Sequence, residues 1–138
     1  MSENRSGPGH ELEGAHVLVV EDNDDARHLI TSVLTYHGAN VHAASGAVEA
    51  LTVLQTMRVD VVVSDLSMPG LTGYDLLHKL REQPHQRRRP TPAIALTAFA
   101  GQRAEALQAG FDAYIVKPFD TDALVHEVQR LAAQPPQG

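Results

Sequence analysis

The chain of 138 residues contains no cysteine, so disulfide bonds and thiolate metal sites are excluded. It also has no apolar run approaching the roughly 20 residues that a membrane-spanning helix requires. Residues 1–16 hold no hydrophobic segment of the kind found in signal peptides. We therefore expect a cytoplasmic protein, and a chain of this length predicts one domain.

Basic residues are scarce, with 11 Lys and Arg against 17 Asp and Glu, for a formal net charge of -6. Non-specific binding to nucleic acid requires a basic face that meets the phosphates. The charge balance therefore argues against a nucleic-acid partner, and no segment suggests a membrane partner. Residues 87–89 are three consecutive arginines, which we interpret as a solvated loop, with a docking patch for an acidic partner as the alternative.

Short apolar segments alternate along the chain with segments in which apolar residues recur at helical spacing. The predicted strands cover residues 16–20, 41–44, 59–64, 93–97 and 113–116. The predicted helical stripes cover residues 26–34, 47–54, 76–80, 102–109 and 124–131. Strict alternation is typical of parallel strands with helices on both faces. We predict an α/β fold with a doubly wound five-stranded parallel sheet in the flavodoxin-like order 2-1-3-4-5.

The two ends of the chain are polar and rich in glycine and proline. Residues 1–14 and 134–138 are therefore predicted to be disordered tails. The folded domain is expected to cover residues 15–133. Because only a handful of residues follow the last predicted helix, we expect no output domain after it.

Polar side chains occur where four of the predicted strands end. Glu21 and Asp22 follow the first strand, Asp65 the third and Lys117 the fifth, while Thr97 ends the fourth. Ligands of such sheets bind at the carboxyl ends of the strands. Three carboxylates in one crevice repel one another unless they bind protons or a cation, and carboxylate oxygens suit Mg2+. An ammonium and a hydroxyl add the positive charge and hydrogen-bond donor that phosphoryl transfer requires.

At these residues the sequence resembles the response-regulator receiver family of two-component signalling, in its single-domain, chemotaxis-regulator-like form. The matching segments are Val-Val-Glu21-Asp22, Ser-Asp65-Leu-Ser-Met-Pro-Gly, Leu-Thr97-Ala and Tyr114-Ile-Val-Lys117-Pro118-Phe. They occur in the family's order, and the likeness covers roughly residues 15 to 133. Each segment alone is a weak signal, whereas four at four strand ends are a strong one.

The resemblance implies that Asp65 is the phosphoacceptor, which takes a phosphoryl group from the phosphohistidine of a partner. It also implies a Mg2+ cofactor held by Asp65, by Asp22 directly, by Glu21 through water and by the backbone carbonyl of Ser67. The partner would be a sensor histidine kinase or a histidine phosphotransfer protein. Such a domain is not an enzyme in the usual sense, because it catalyses only its own phosphorylation and dephosphorylation.

The resemblance assigns further roles on the fourth and fifth strands. Thr97 and Lys117 would hold the phosphoryl oxygens, and the Lys117-Pro118 peptide bond would be cis, so that Pro118 fixes the loop that aims the lysine. Tyr114 would be an aromatic switch that turns inward when Thr97 moves toward the phosphate. A downstream protein target would then bind the face formed by the fourth helix, the fifth strand and the fifth helix.

The sequence departs from the common family pattern at Glu21, where aspartate is more usual, and we expect altered Mg2+ affinity without its loss. Ser67 and Phe99 occupy positions that influence the lifetime of the acyl phosphate in the family. A phosphatase with an aspartyl nucleophile would need a second acid where Ser67 stands. A receiver-like module that is never phosphorylated would be expected to lack one of the polar groups, and this chain has them all.

Each residue alone also has an ordinary structural interpretation. Glu21 and Asp22 suit the beginning of a helix, and Asp65 suits the turn that precedes Pro69. A lone threonine in a strand or a lone lysine after one carries no functional signal. The functional hypothesis therefore depends on all of these side chains meeting at one edge of the sheet.

Overall fold

A computed structural model of the chain describes residues 9–133. Its elements are β1 (His16–Val20), α1 (Asp24–Tyr36), β2 (Asn40–Ala44), α2 (Ala47–Thr56), β3 (Val61–Asp65), α3 (Gly73–Arg81), β4 (Ala93–Thr97), α4 (Arg103–Ala109), β5 (Ala113–Val116) and α5 (Thr121–Ala132). Short 3-10 helices at Pro84–Arg87 and Ala100–Gln102 precede β4 and α4. Neighbouring strands all pair in parallel, in the order β2-β1-β3-β4-β5. The predicted fold class is confirmed.

The sheet is covered by helices on both faces, which gives the domain two hydrophobic cores. In β1, Val17 and Val19 point into the core shared with α1 and α5. Leu18 and Val20 point into the opposite core, shared with α2, α3 and α4. Every residue of β3 and β4 is buried. This two-sided burial explains why these strands are continuous apolar runs in the sequence.

The helices are short, and side chains define where several of them begin. Asn23 caps α1, Thr72 and Asp75 form a capping box at α3, and Asp120 caps α5. Gly110, with φ of 114°, ends α4 in the left-handed region that glycine adopts without strain. The longest helix has 13 residues, and within residues 9–133 no helix is long and apolar enough to cross a membrane.

The third strand begins at Val61, two residues later than predicted, and continues to Asp65. Asp60 lies before the strand because it binds the beginning of β1. Its carboxylate accepts a hydrogen bond from the N–H of His16 at 2.8 Å, and its own N–H donates to the carbonyl of His16 at 2.7 Å. Asp60, which the prediction placed inside the strand, therefore links the segment before β3 to the beginning of β1.

The prediction of a disordered tail over residues 1–14 is wrong for residues 9–14. Leu12 is only 2% exposed and belongs to the core between the sheet, α1 and α5. Its N–H donates to the carbonyl of His37 at 2.8 Å, and the carboxylate of Glu11 lies 2.8 Å from Nδ1 of the same histidine. A single apolar residue in a polar segment thus finds a buried place beside the end of α1. Residues 1–8 and 134–138, the rest of the predicted tails, lie outside the described residues.

Gly73 begins α3 in direct contact with the end of β3. A Cβ atom at this position would lie 2.4 Å from the carbonyl oxygen of Asp65 and 3.0 Å from Cα of Leu66. The N–H of Gly73 donates to the carbonyl of Leu66 at 3.1 Å. The absence of a side chain therefore allows α3 to pack against the backbone that carries Asp65.

We predict that Gly73→Ala lowers the free energy of unfolding by about 1 to 3 kcal/mol, because the added methyl group meets backbone atoms that have no room to move. Urea unfolding of the two proteins measures the change. Gly101→Ala is the matched control, since a Cβ there meets nothing within 4 Å. An equal loss of stability in both variants would contradict the steric explanation.

Candidate functional site

The parallel register brings the polar strand ends to one edge of the sheet. Val20 pairs with Ser64, so Glu21 and Asp65 continue two neighbouring strands at the same level. Asp65 pairs with Leu96, and Thr97 pairs with Val116, which directly precedes Lys117. These polar side chains therefore lie along one rim of the sheet. The rim is in the central part of the sheet, where the chain order of the strands reverses.

Three carboxylates meet at this rim. One carboxylate oxygen from each of Glu21, Asp22 and Asp65 lies within 4.8 Å of the others. Glu21 and Asp65 are buried, whereas Asp22 is exposed. The cluster is therefore open to solvent at Asp22, and all three candidate ligand atoms are carboxylate oxygens. This donor set fits Mg2+, which retains several waters and binds few protein carboxylates.

Lys117 reaches into the same cluster from the loop after β5. Its ammonium donates to Oε1 of Glu21 at 2.7 Å and to Oδ2 of Asp65 at 3.2 Å. The Lys117-Pro118 peptide bond is cis. One ammonium therefore contacts both buried carboxylates, and the three carboxylates still exceed it by two formal negative charges.

Burial and pairing shift the pKa values of this ion pair. Burial raises the pKa of the Glu21 carboxyl, and the hydrogen bonds from Lys117 and the N–H of Asn23 act in the opposite direction. Burial alone would lower the pKa of Lys117, but the hydrogen bond to Glu21 and the charges of Asp65 and Glu21 outweigh it, so that the pKa lies above its ordinary value. Lys117 is thus held in its charged form by the carboxylates it contacts.

The loop after β3 orients Asp65. The N–H of Ser67 donates to Oδ1 of Asp65 at 3.1 Å, while Lys117 contacts Oδ2. The N–H of Leu66 donates to the carbonyl of Leu96 in the neighbouring strand at 2.9 Å. Both oxygens of the Asp65 carboxylate are therefore fixed in direction, and the side chain of Ser67 remains exposed to solvent.

Thr97 lies on the same rim but bonds away from the carboxylates. Its hydroxyl donates to Oε1 of Gln102 at 2.6 Å and accepts from the N–H of Phe99 at 3.1 Å. Tyr114 is half-buried, and its hydroxyl donates to the carbonyl of Phe99 and accepts from the N–H of Gln102 at 3.2 Å. The structure therefore joins Thr97 and Tyr114 through the segment between β4 and α4.

Two residues of the site escaped the sequence analysis. Arg27 donates to the carbonyl of Glu21 at 3.0 Å and to the carboxylate of Asp24 at 2.6 Å, which braces the turn after β1. Its spacing of three residues from Asp24 on a helix is a signal that could have been noticed. Gln102 offered no such signal, because a lone glutamine before a short helix has no pattern that distinguishes it.

Comparisons with known proteins identify the family to which this sequence is similar. A family model described as the response regulator receiver domain matches residues 17–129. An uncharacterized 14.6 kDa protein of Leptolyngbya boryana is 41% identical over 116 residues, which cover 83% of this chain and 87% of that protein. The chemotaxis protein CheY of Pseudomonas aeruginosa is 33% identical over 116 residues, which cover 83% of this chain and 94% of that protein.

A solved structure extends the likeness to three dimensions. It is the receiver domain of the sensor histidine kinase PA1611 from Pseudomonas aeruginosa, with a magnesium ion coordinated in its active site cleft. The two chains superpose with a TM-score of 0.78 at 33% identity, over 88% of this chain and 99% of the other. Sequence, fold and family model agree that this chain belongs to the family of response regulator receiver domains.

Proposed function

We propose that this receiver domain is a phosphoacceptor, in which Asp65 takes a phosphoryl group from the phosphohistidine of a sensor histidine kinase or a histidine phosphotransfer protein. The observation that carries the proposal is the contact of one ammonium with two buried carboxylates beside an exposed third one. Such a cluster combines a nucleophile, a positive charge and a cation site, which are the parts that phosphoryl transfer requires.

In the proposed transfer, a carboxylate oxygen of Asp65 attacks the phosphorus atom and forms the new O–P bond. The P–N bond of the phosphohistidine breaks, and its electron pair returns to the imidazole nitrogen, which takes up a proton. The product is an aspartyl phosphate. Its hydrolysis reverses the state of the domain, because water attacks phosphorus, the O–P bond to Asp65 breaks and inorganic phosphate leaves.

Lys117 has the position needed to stabilise the transferred group. Its ammonium lies 3.2 Å from Oδ2 of Asp65, within reach of phosphoryl oxygens attached to that carboxylate. The N–H of Ser67, at 3.1 Å from Oδ1, keeps the carboxylate in one orientation during the approach of the donor. These groups are in place before the reaction, so little reorganisation opposes it.

The cofactor is proposed to be Mg2+, held by the carboxylates of Glu21, Asp22 and Asp65 together with the backbone carbonyl of Ser67. When bound, Mg2+ neutralises charge on the phosphoryl oxygens and on the carboxylates. The magnesium ion in the related receiver domain of PA1611 supports this assignment. Glu21 is already bonded to Lys117 and to the N–H of Asn23, which favours a water-mediated role for this longer side chain.

The output is proposed to pass through Thr97 and Tyr114 to a protein partner. Movement of Thr97 toward the phosphoryl group would change the hydrogen bonds that connect it with Tyr114, and so alter the face formed by α4, β5 and α5. Phe99 is 60% exposed and Leu107 of α4 is 38% exposed, which offers apolar contacts to such a partner. We also propose that this partner is a protein and not a nucleic acid, and that the domain acts in the cytoplasm.

We predict that Asp65→Asn abolishes phosphorylation and leaves the fold intact, because the amide is a poor nucleophile of nearly the same shape. Incubation with acetyl phosphate and Mg2+, followed by mass spectrometry, detects the added phosphoryl group, and hydroxylamine should remove it. Asp25→Asn is the control, since Asp25 is an exposed acid on the first turn of α1. Labelling that survives in Asp65→Asn would mean that another residue is the acceptor.

We predict that Mg2+ stabilises the folded domain, because it relieves repulsion among carboxylates that are gathered only in the folded state. At a hundredfold excess over the Kd, the gain in unfolding free energy is about 2.7 kcal/mol. Thermal unfolding with and without Mg2+ measures it. Asp22→Asn should lose the gain and Asp25→Asn should retain it, and a wild-type Tm that ignores Mg2+ would exclude the metal site.

We predict that Lys117→Met lowers the unfolding free energy at pH 7 in EDTA by about 2 to 3 kcal/mol. This is below the cost for fully buried pairs, because Lys117 is 24% exposed. Since the pKa of Lys117 is raised in the folded state, its contribution is complete below the ordinary value of 10.5 and is lost as the pH rises through the folded value.

The difference in stability between wild type and Lys117→Met should therefore shrink above pH 10.5. Urea unfolding across this pH range provides the measurement. Lys79→Met, which removes the chain's other lysine, is the control, because Lys79 is exposed on α3. A difference that stays constant into strong alkali would show that the loss does not come from the ammonium.

A further inference from the structure

Four residues at the end of β4, in the segment that follows it and in β5 form a closed ring of hydrogen bonds. Thr97 donates to the side chain of Gln102, whose N–H donates to the hydroxyl of Tyr114. Tyr114 donates to the carbonyl of Phe99, whose N–H donates back to the hydroxyl of Thr97. Phe99 and Gln102 each contact both Thr97 and Tyr114, but only Gln102 does so with a side chain, which accepts the hydrogen bond from Thr97.

The hydroxyl of Thr97 has a single proton to donate, so it can serve only one acceptor at a time. That proton is directed at Oε1 of Gln102, at 2.6 Å. Thr97 is 1% exposed, so water cannot easily replace a lost acceptor. A phosphoryl oxygen on Asp65 would have to take the proton from Gln102.

We propose that Gln102 is a positioning residue that holds the hydroxyl of Thr97 away from the phosphoryl site and thereby lowers the affinity of the site for a phosphoryl group. This inference rests on the proposed function of Asp65 as the acceptor. The amide oxygen of Gln102 competes with the phosphoryl oxygen for one proton. The difference in free energy between the two hydrogen bonds sets the fraction of molecules in which Thr97 turns toward the phosphoryl group.

The position of Gln102 allows its side chain to withdraw without loss of the backbone contacts. It ends the 3-10 helix Ala100–Gln102, directly before α4, and it is only partly buried. Its N–H bond to Tyr114 involves the main chain and does not require the side chain. The side chain of Gln102 can therefore rotate toward solvent and release the hydroxyl of Thr97, while the N–H of Gln102 keeps its bond to Tyr114.

Beryllofluoride with Mg2+ is the probe, because it mimics an aspartyl phosphate without a covalent step. We expect Gln102→Ala to bind it about fivefold more tightly than wild type, since Thr97 loses the competing acceptor. That factor corresponds to about 1 kcal/mol, the usual net value of one hydrogen bond. Gln108→Ala, which truncates an exposed glutamine of α4, is the matched control and should leave the affinity unchanged.

Gln102→Glu should change the affinity in the opposite direction, because a carboxylate accepts the proton of Thr97 more strongly than an amide does. We expect binding at least fivefold weaker than wild type, and a urea unfolding midpoint no lower than that of wild type is the check on folding. Equal affinities of Gln102→Ala and Gln108→Ala would overturn the proposed competition.

A double-mutant cycle with Thr97→Val tests whether the effect passes through the hydroxyl. In the Thr97→Val background, Gln102→Ala should have no effect, because no proton remains to be released. A fivefold gain that persists there would overturn the role of Gln102. Failure of the proposed function is distinguishable, since wild type itself would then neither bind beryllofluoride with Mg2+ nor gain a phosphoryl group.

Discussion

The contact of the Lys117 ammonium with the buried carboxylates of Glu21 and Asp65 is the interaction on which the site depends. Two like charges are placed side by side at the ends of adjacent strands, and their repulsion is tolerated because one cation lies between them. Glu21 directly follows β1, Asp65 ends β3 and Lys117 lies in the loop after β5, so the ion pair also joins distant parts of the chain. The same ion pair therefore contributes to the stability of the fold and to the arrangement of the candidate site.

The rim of the sheet has two parts with different physics. Around β1 and β3 the interactions are ionic, and the acids exceed the single ammonium. Around β4 and β5 they are neutral hydrogen bonds among Thr97, Gln102 and Tyr114. A phosphoryl group attached to Asp65 would adjoin both parts. A change of charge on the ionic side can thus be converted into a change of hydrogen bonding on the neutral side.

The sequence predicted the fold and the meeting place of the ionic residues because both follow from simple rules. Two-sided burial makes β3 and β4 largely apolar runs, and parallel pairing sends Glu21, Asp65 and Lys117 to one rim. Leu12 was missed because its burial depends on the shape of the core at the end of α1, which composition does not encode. The sequence analysis missed Gln102 as the partner of the Thr97 hydroxyl, because a local turn brings the two residues together and no sequence pattern marks that turn.

The tight fit of Gly73 against the Asp65 backbone has a mechanical consequence. On that side the acceptor loop rests on main-chain atoms of α3 with no free space, and its next residue, Leu66, is bonded to β4. The contact between main-chain atoms therefore resists movement of the Asp65 loop toward α3. The acceptor loop therefore keeps its place on this side, and structural change during phosphorylation would fall on side chains that can rotate, such as that of Gln102, which is only partly buried.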